Sequence, residues 1–414
     1  MRAKPANGLV MIGVSTVIAG IAGYAVTLLV YRVIGAGEYS LFAVFWAAIY
    51  LIIGGLSGIQ QEVTRATRPV VAGEAHRASR SRNFGAVVAL IVGTIIVATA
   101  VFWNGALFVA NGWALVWPLA VGAASYVLVA VLTGSLYGLS RWRSIAVMVV
   151  FDALARLILV AAALVFDRNV VLLAWLVAVP FPLVLLVVWP VIRRGFVGTS
   201  AVDVSYRELS WNAARAVVAS ISTAVLVSGF PVLLGLTSRA EPSALLGELI
   251  FTITLTRAPL IVSVMSLQSY FVVRFRDRSN DWSSLFWRVV GVIAACAVVI
   301  AVLGFLLGRP VLEWVSGHPV PISGGVVAVL VLSSALVGIL CVSGPAVLAR
   351  NLHFWYSLGW VVAAVVTIVC IALPIEFLTR VELALLAGPV AGLCVHLATL
   401  LSLSRSVARL KEPV

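Results

Sequence analysis

The stretch "ITLTRAPLIV", Ile253 to Val262, sets an arginine and a proline inside an apolar run that extends from Ser243 to about Val272. A run of that length reads as a membrane helix, because a bilayer core about 30 Å thick takes about 20 apolar residues rising 1.5 Å each. The rest of the chain repeats the pattern. Of 414 residues 63% are hydrophobic and only 10% are charged, and the mean hydropathy is +1.15. These values lie far from those of soluble domains. Because no water in the bilayer core satisfies an open sheet edge, helices are the economical way across. The sequence predicts an all-α polytopic membrane protein.

Apolar runs bounded by charge, Gly or Pro clusters fall at about 8–33, 41–61, 84–109, 114–137, 145–166, 170–192, 211–236, 243–272, 285–308, 322–349, 355–378 and 383–403, which gives about 12 transmembrane helices. The first follows Arg2 and Lys4 as a signal peptide would, yet it is too long and lacks an Ala-x-Ala pattern, so it is expected to remain as the first span. The longest connections, Glu62–Asn83 and Arg193–Ser210, are too short for a soluble domain.

Orientation follows from the arginines. With the amino terminus inside, Arg2, Lys4, Arg65, Arg68, Arg77, Arg80, Arg82, Arg141, Arg143, Arg193, Arg194, Arg207, Arg274, Arg276, Arg278, Arg350, Arg405, Arg409 and Lys411 fall in cytoplasmic segments. Only Arg32, Arg168, Arg239, Arg309 and Arg380 fall outside. This bias predicts a cytoplasmic-membrane protein with both termini cytoplasmic. The net charge of +13 then belongs at helix ends beside anionic headgroups, so membrane lipids are expected partners and nucleic acid is not. The four cysteines fall inside spans without metal or disulfide spacing. Of the four histidines only His396 sits in a span, where a packed or cavity-facing imidazole is the simpler reading than a proton relay.

Two pairs of segments hint at a repeat. "LYGLSRWRSIAVMVV" after span four resembles "VLARNLHFWYSLGWVV" after span ten, and "GIQQEVTRATR" resembles "MSLQSYFVVRFRDR" at the ends of spans two and eight. Both pairs are offset by six spans. A parallel six-plus-six arrangement follows, with an N-terminal lobe 1–192, a cytoplasmic linker 193–210 and a C-terminal lobe 211–414. Gly54 with Gly58, and Gly134 with Gly138, have the spacing that lets helices approach closely.

The span layout, "GAGEYSLFAVFWA" entering span two, "GLSGIQQEVTRATRP" leaving it, and the arginine with proline in span eight resemble the multidrug/oligosaccharidyl-lipid/polysaccharide exporter superfamily. Within it the chain is most similar to the polysaccharide-type flippases of polyprenyl-linked sugars. The resemblance implies two six-helix lobes around a central cavity that opens alternately to either side. It also implies cationic side chains that meet the carrier phosphate, which map to Arg257 and Arg65, with Arg215 and Arg156 extending the set. The implied partners are a polyprenyl-linked glycan substrate and envelope glycosyltransferases, and no cofactor is implied.

Physical chemistry bears on the same positions. Arg257 lies about 20 Å into its run, where a charge facing lipid costs at least about 2.5 kcal/mol. It must face a partner or a wet cavity, and Pro259 bends a helix in a way tolerated beside a cavity. Phosphate binding by the guanidinium fork is one reading, and an ion pair with Asp152 or Glu248 is the other. Asp152 and Arg156 in "FDALARLI" are four apart and can pair directly; packing and a cavity or cation-coupling role both remain open. Glu248 lies about 14 Å from Arg257 along one helix and is either a coupling carboxylate or the partner of an outer arginine. Arg215 and Arg288 are close enough to an end to snorkel, and Arg65 also fits an ordinary cytoplasmic flank. The basic run "RATRPVVAGEAHRASRSR" reads as a solvated loop or an anionic-lipid contact.

No Walker motif and no convergent carboxylates stand in the sequence, which argues against ATP hydrolysis and against an enzyme. The reading is a flippase of a polyprenyl-phosphate-linked sugar for cell-envelope polysaccharide synthesis, with a small-molecule or drug cation antiporter of the same fold, or a membrane scaffold, as alternatives.

Overall fold

The computed structural model describes residues 5–69, 80–109, 111–193, 200–238, 241–266, 271, 274–275, 282–350 and 352–409. Arg2, Lys4, Arg77, Arg194, Arg239, Arg276, Arg278, Lys411 and His76 lie outside them, as does most of the basic run after Pro69 and much of the repeat segment after Ser266. So do the side chains of Arg80, Arg405 and Arg409.

The first helix, α1, spans Pro5–Ala66. At 1.5 Å per residue that is about 90 Å, three times a bilayer core, so it must turn back. It does so at Gly35, whose φ of 77° and ψ of 165° are open essentially to glycine alone. Spans one and two are thus one chain of helix with a single-residue corner, where the sequence suggested a loop. Then come strand β1 (Thr67–Pro69), α2 (Arg80–Leu107), α3 (Gly112–Gly138) and α4 (Trp142–Phe166). The sixth span is broken. α5 (Val170–Ala178) gives way to α6 (Pro180–Leu183), a π turn at Val184–Val188 and α7 (Trp189–Ile192). Pro180 and Pro182 have no N–H to offer the carbonyls four residues back, which is why the helix loosens here.

Strand β2 (Ser200–Val202) pairs antiparallel with β1, Thr67 opposite Val202. The sequence signalled no strand. The ribbon is nevertheless a check on topology: β1 follows span two and β2 follows span six, and even-numbered spans must end on the same side. Next is α8 (Tyr206–Val227), started by a capping box in which Ser205 and Glu208 exchange hydrogen bonds. After it come α9 (Phe230–Thr237), α10 (Ser243–Ser266), α11 (Trp282–Ser316), α12 (Gly324–Leu348), α13 (His353–Ile371) and α14 (Phe377–Arg409). α10 stays helical through Pro259.

The chain forms two compact units, Met1–Leu236 with Pro242–Gly247, and Thr237–Glu241 with Glu248–Val414. By contact, α8 belongs with α1 in the first unit. The reason is a glycine stripe on α1. A Cβ on Gly54 would stand 2.7 Å from the Ala224 methyl, and one on Gly58 would run into the backbone of Ala216 and Val217. On α3, a Cβ on Gly134 would stand 2.8 Å from the Gln60 carbonyl, so both glycine pairs noted in the sequence are helix contacts. Gly58→Ala is expected to overpack this contact and cost about 1–3 kcal/mol. Gly13→Ala, where nothing lies within 4 Å, is expected to change the thermal midpoint of the purified protein little; equal midpoints for the two variants would show the contact to be slack.

The outward faces are apolar. Leu90, Phe102, Val165, Phe166, Phe305 and Leu306 are all more than 60% exposed, which suits a lipid solvent and no other. This is a multi-pass membrane protein.

Candidate functional site

In the first unit, polar side chains from α1, α3 and α4 converge on a cavity of about 300 Å³. Its anchor is Arg156 on α4, whose side chain is only 5% exposed. Asp152 stands one turn earlier, and its Oδ1 accepts from Arg156 Nη2 at 2.9 Å, the four-residue pairing read from the sequence. Arg156 Nη1 donates to the Tyr50 hydroxyl at 2.8 Å, and Nε donates to the Val177 carbonyl at 3.1 Å, in the last turn of α5 before the proline break. The guanidinium also lies over Phe181, 4.9 Å from the ring centre. Three of five donors are thus engaged by protein. A charge that would be costly in apolar surroundings is satisfied by a carboxylate, a phenol, a carbonyl and a ring face.

Around it, Tyr126 meets Phe181 edge to face at 5.6 Å, and Thr133 lies 3.3 Å from the Gln60 amide oxygen. Asp152 is 24% exposed, toward the cavity that it lines. The sequence pointed to Asp152 and Arg156 but not to Tyr50, Gln60, Tyr126, Thr133 or Phe181. One signal was present: Tyr126 and Thr133 are seven apart, two turns on one helical face, each a polar interruption of an apolar run.

In the second unit Arg257 is 5% exposed, in the middle of α10. Of the two carboxylates considered as its partners, Asp152 binds Arg156 in the first unit, and Glu248, 3% exposed, lies 3.6 Å from His318 Nε2. His318 reaches it from the loop between α11 and α12, a contact no spacing in the sequence suggested. His396 is fully buried. Its Nδ1 lies 2.8 Å from the Ser343 hydroxyl and its Nε2 3.1 Å from the Tyr356 carbonyl. A neutral ring with hydrogen on Nε2 donates to that carbonyl and accepts from the serine, so this is the packed imidazole of the simpler reading.

Arg65, at the end of α1, forks onto its own neighbour Glu62, Nε to Oε2 at 2.8 Å and Nη2 to Oε1 at 2.6 Å, with its side chain 55% exposed. Arg215 is exposed on α8. The structure thus brings Arg156 and Asp152 together in the first unit, where Arg65 binds Glu62 instead.

No protein-family model matches the chain. Among solved structures it is similar to the inward-facing conformation of a multidrug resistance MATE family transporter of the MOP superfamily, with a TM-score of 0.71 at 13% identity over 96% of this chain and 98% of that one. The outward-facing conformation of such a transporter gives 0.63 at 14% identity, over 98% and 97%. A MOP superfamily transporter from Pyrococcus furiosus, described by a reverse polarity of its binding pocket that suggests a different function, gives 0.62 at 13% identity, over 97% of each. The fold is therefore that of MOP superfamily transporters. In sequence, the uncharacterized proteins Mb3654 of Mycobacterium bovis and Rv3630 of Mycobacterium tuberculosis are each 32% identical over 402 residues, 94% of this chain and 91% of theirs. The uncharacterized protein Rv1510 of Mycobacterium tuberculosis is 32% identical over 403 residues, 94% of this chain and 90% of its own. At that identity over nearly its whole length, the chain belongs to one family with these uncharacterized mycobacterial proteins.

Proposed function

We propose that this chain is a transporter, with no covalent step, that carries a polyprenyl-phosphate-linked sugar or oligosaccharide across the cytoplasmic membrane by alternating access, for cell-envelope polysaccharide synthesis. The observation that carries the reading is Arg257, 5% exposed near the middle of α10, a helix whose apolar run is expected from the sequence to cross the bilayer. A guanidinium held at that depth is suited to grip phosphate oxygens with two parallel donors. Arg65 would recruit the headgroup at the cytoplasmic mouth by exchanging Glu62 for phosphate, with Arg215 as a neighbouring surface cation. The Arg156–Asp152 cavity would serve as a second polar site, where the headgroup or a coupling cation changes the balance of the pair. The prenyl tail would stay on the apolar, lipid-facing side of the protein, and envelope glycosyltransferases would supply or consume the cargo.

One observation favours an organic-cation antiporter: Asp152 faces a cavity with Tyr50, Tyr126 and Phe181 in its wall. Yet Arg156 already compensates that carboxylate at 2.9 Å, and a cation entering there would meet a neutral pair. The discriminating experiment is reconstitution into proteoliposomes. Protein-dependent translocation of a fluorescent polyprenyl-diphosphate sugar, with no proton-driven uptake of an organic cation dye, is expected. The opposite outcome assigns the antiporter.

A further inference from the structure

The lipid-facing surface of the first unit carries a second concavity, larger and more apolar than the Arg156 cavity. It is a furrow of about 960 Å³ between the first segment of α1 (residues 5–34) and α4, walled by apolar side chains such as Val14, Ile18, Val147, Leu154 and Ile158. Its one charged lining residue is Arg143, the second residue of α4, which is exposed and pairs with no carboxylate among the described residues. The arginine distribution assigns that end of α4 to the cytoplasmic surface.

We propose that this furrow holds the isoprenoid chain of a polyprenyl phosphate from the cytoplasmic leaflet, with Arg143 against the phosphate, as a loading site distinct from the Arg257 position. The proposal rests on the cargo reading above. Charge sets the polarity: a single cation at one end of an apolar trough matches an amphiphile with one anionic head and one long tail. Length selects the tail. From Arg143 to Leu159 the furrow follows sixteen residues of α4, about 24 Å, most of a bilayer core of about 30 Å. Glycerophospholipid chains end near the midplane, whereas an isoprenoid chain of carrier length continues past it. Position adds a third argument, since Ile18, Phe151 and Leu183 of the furrow are adjacent in sequence to Ala19, Asp152 and Val184 of the polar cavity. One wall of helix separates a place for a tail from a place for a head.

The test uses full-length protein in phosphatidylcholine nanodiscs and a polyprenyl phosphate bearing a diazirine along its chain, with crosslinked peptides identified by mass spectrometry. Labelling of peptides from residues 10–18 and 146–159 is expected, competed by unlabelled polyprenyl phosphate and poorly by phosphatidylglycerol. Arg143→Gln is expected to weaken half-saturation about fivefold, the contribution of one surface cation facing an anionic lipid. Val147→Trp, at a site 55% exposed where folding is not at stake, is expected to block labelling by filling the trough. Equal competition by phosphatidylglycerol would make the furrow a general anionic-lipid site and overturn the proposal while the cargo reading stands. Labelling confined to α10 would also overturn it and leave the carrier chemistry intact. Absence of any competable label anywhere in the chain would remove both.

Discussion

Arg257→Ala is expected to lower translocation of a polyprenyl-linked sugar by at least about two orders of magnitude, because two hydrogen bonds to a charged group contribute about 1.5–3 kcal/mol each and every 1.4 kcal/mol is a factor of ten. Arg257→Lys is expected to lose about tenfold: the charge survives, but a point ammonium cannot reproduce the planar fork. Both need protein levels and size-exclusion profiles like those of the unaltered chain, since α10 packs around Arg257 with Leu249, Ile250 and Ile253 almost fully buried. The order of the effects is the informative part. Loss in alanine with full activity in lysine would mean that Arg257 supplies field alone and that phosphate is not held bidentately. Full activity in both would place the phosphate elsewhere and leave the buried guanidinium a packing element.

Much of the architecture could be read from the chain because membrane helices announce themselves locally. Each span carries its own apolar run, and the Asp152–Arg156 pair needs only the four-residue helical repeat. The close contacts of Gly54 and Gly58 with α8 were half legible: the spacing marks a contact face but not its partner, which lies more than 150 residues on in the chain. What escaped depends on distance along the chain. Tyr50 meets Arg156 across 106 positions, and Glu248 finds His318 across an intervening helix and loop; neither residue type is unusual where it stands. The β1–β2 ribbon escaped for another reason. Three-residue strands in polar loops carry no periodicity, and their pairing follows from where the ends of α1 and α7 leave the chain.

Asp152→Ala is expected to destabilise the protein by about 3 kcal/mol, the low end for breaking a buried pair, because Asp152 is partly exposed to the cavity while Arg156 is not. The cost arises from what is left behind. Arg156 would keep Tyr50 and Val177 but lose its counter-charge, in apolar surroundings where an uncompensated cation is far more expensive than a missing contact. Removing both charges, as Asp152→Leu with Arg156→Met, is therefore expected to restore most of the stability, since apolar residues of similar volume replace buried pairs at little cost. Thermal unfolding of Asp152→Leu, Arg156→Met and the double variant completes the cycle that gives the coupling energy. Transport then separates the two roles of the pair. The double variant is expected to be stable and inactive, because Asp152 lines the cavity and the headgroup or coupling cation would find no polar partner in it. A double variant that is both stable and fully active would reduce the pair to a clamp holding α4 against α1 and α5, and would remove the polar cavity from the transport path.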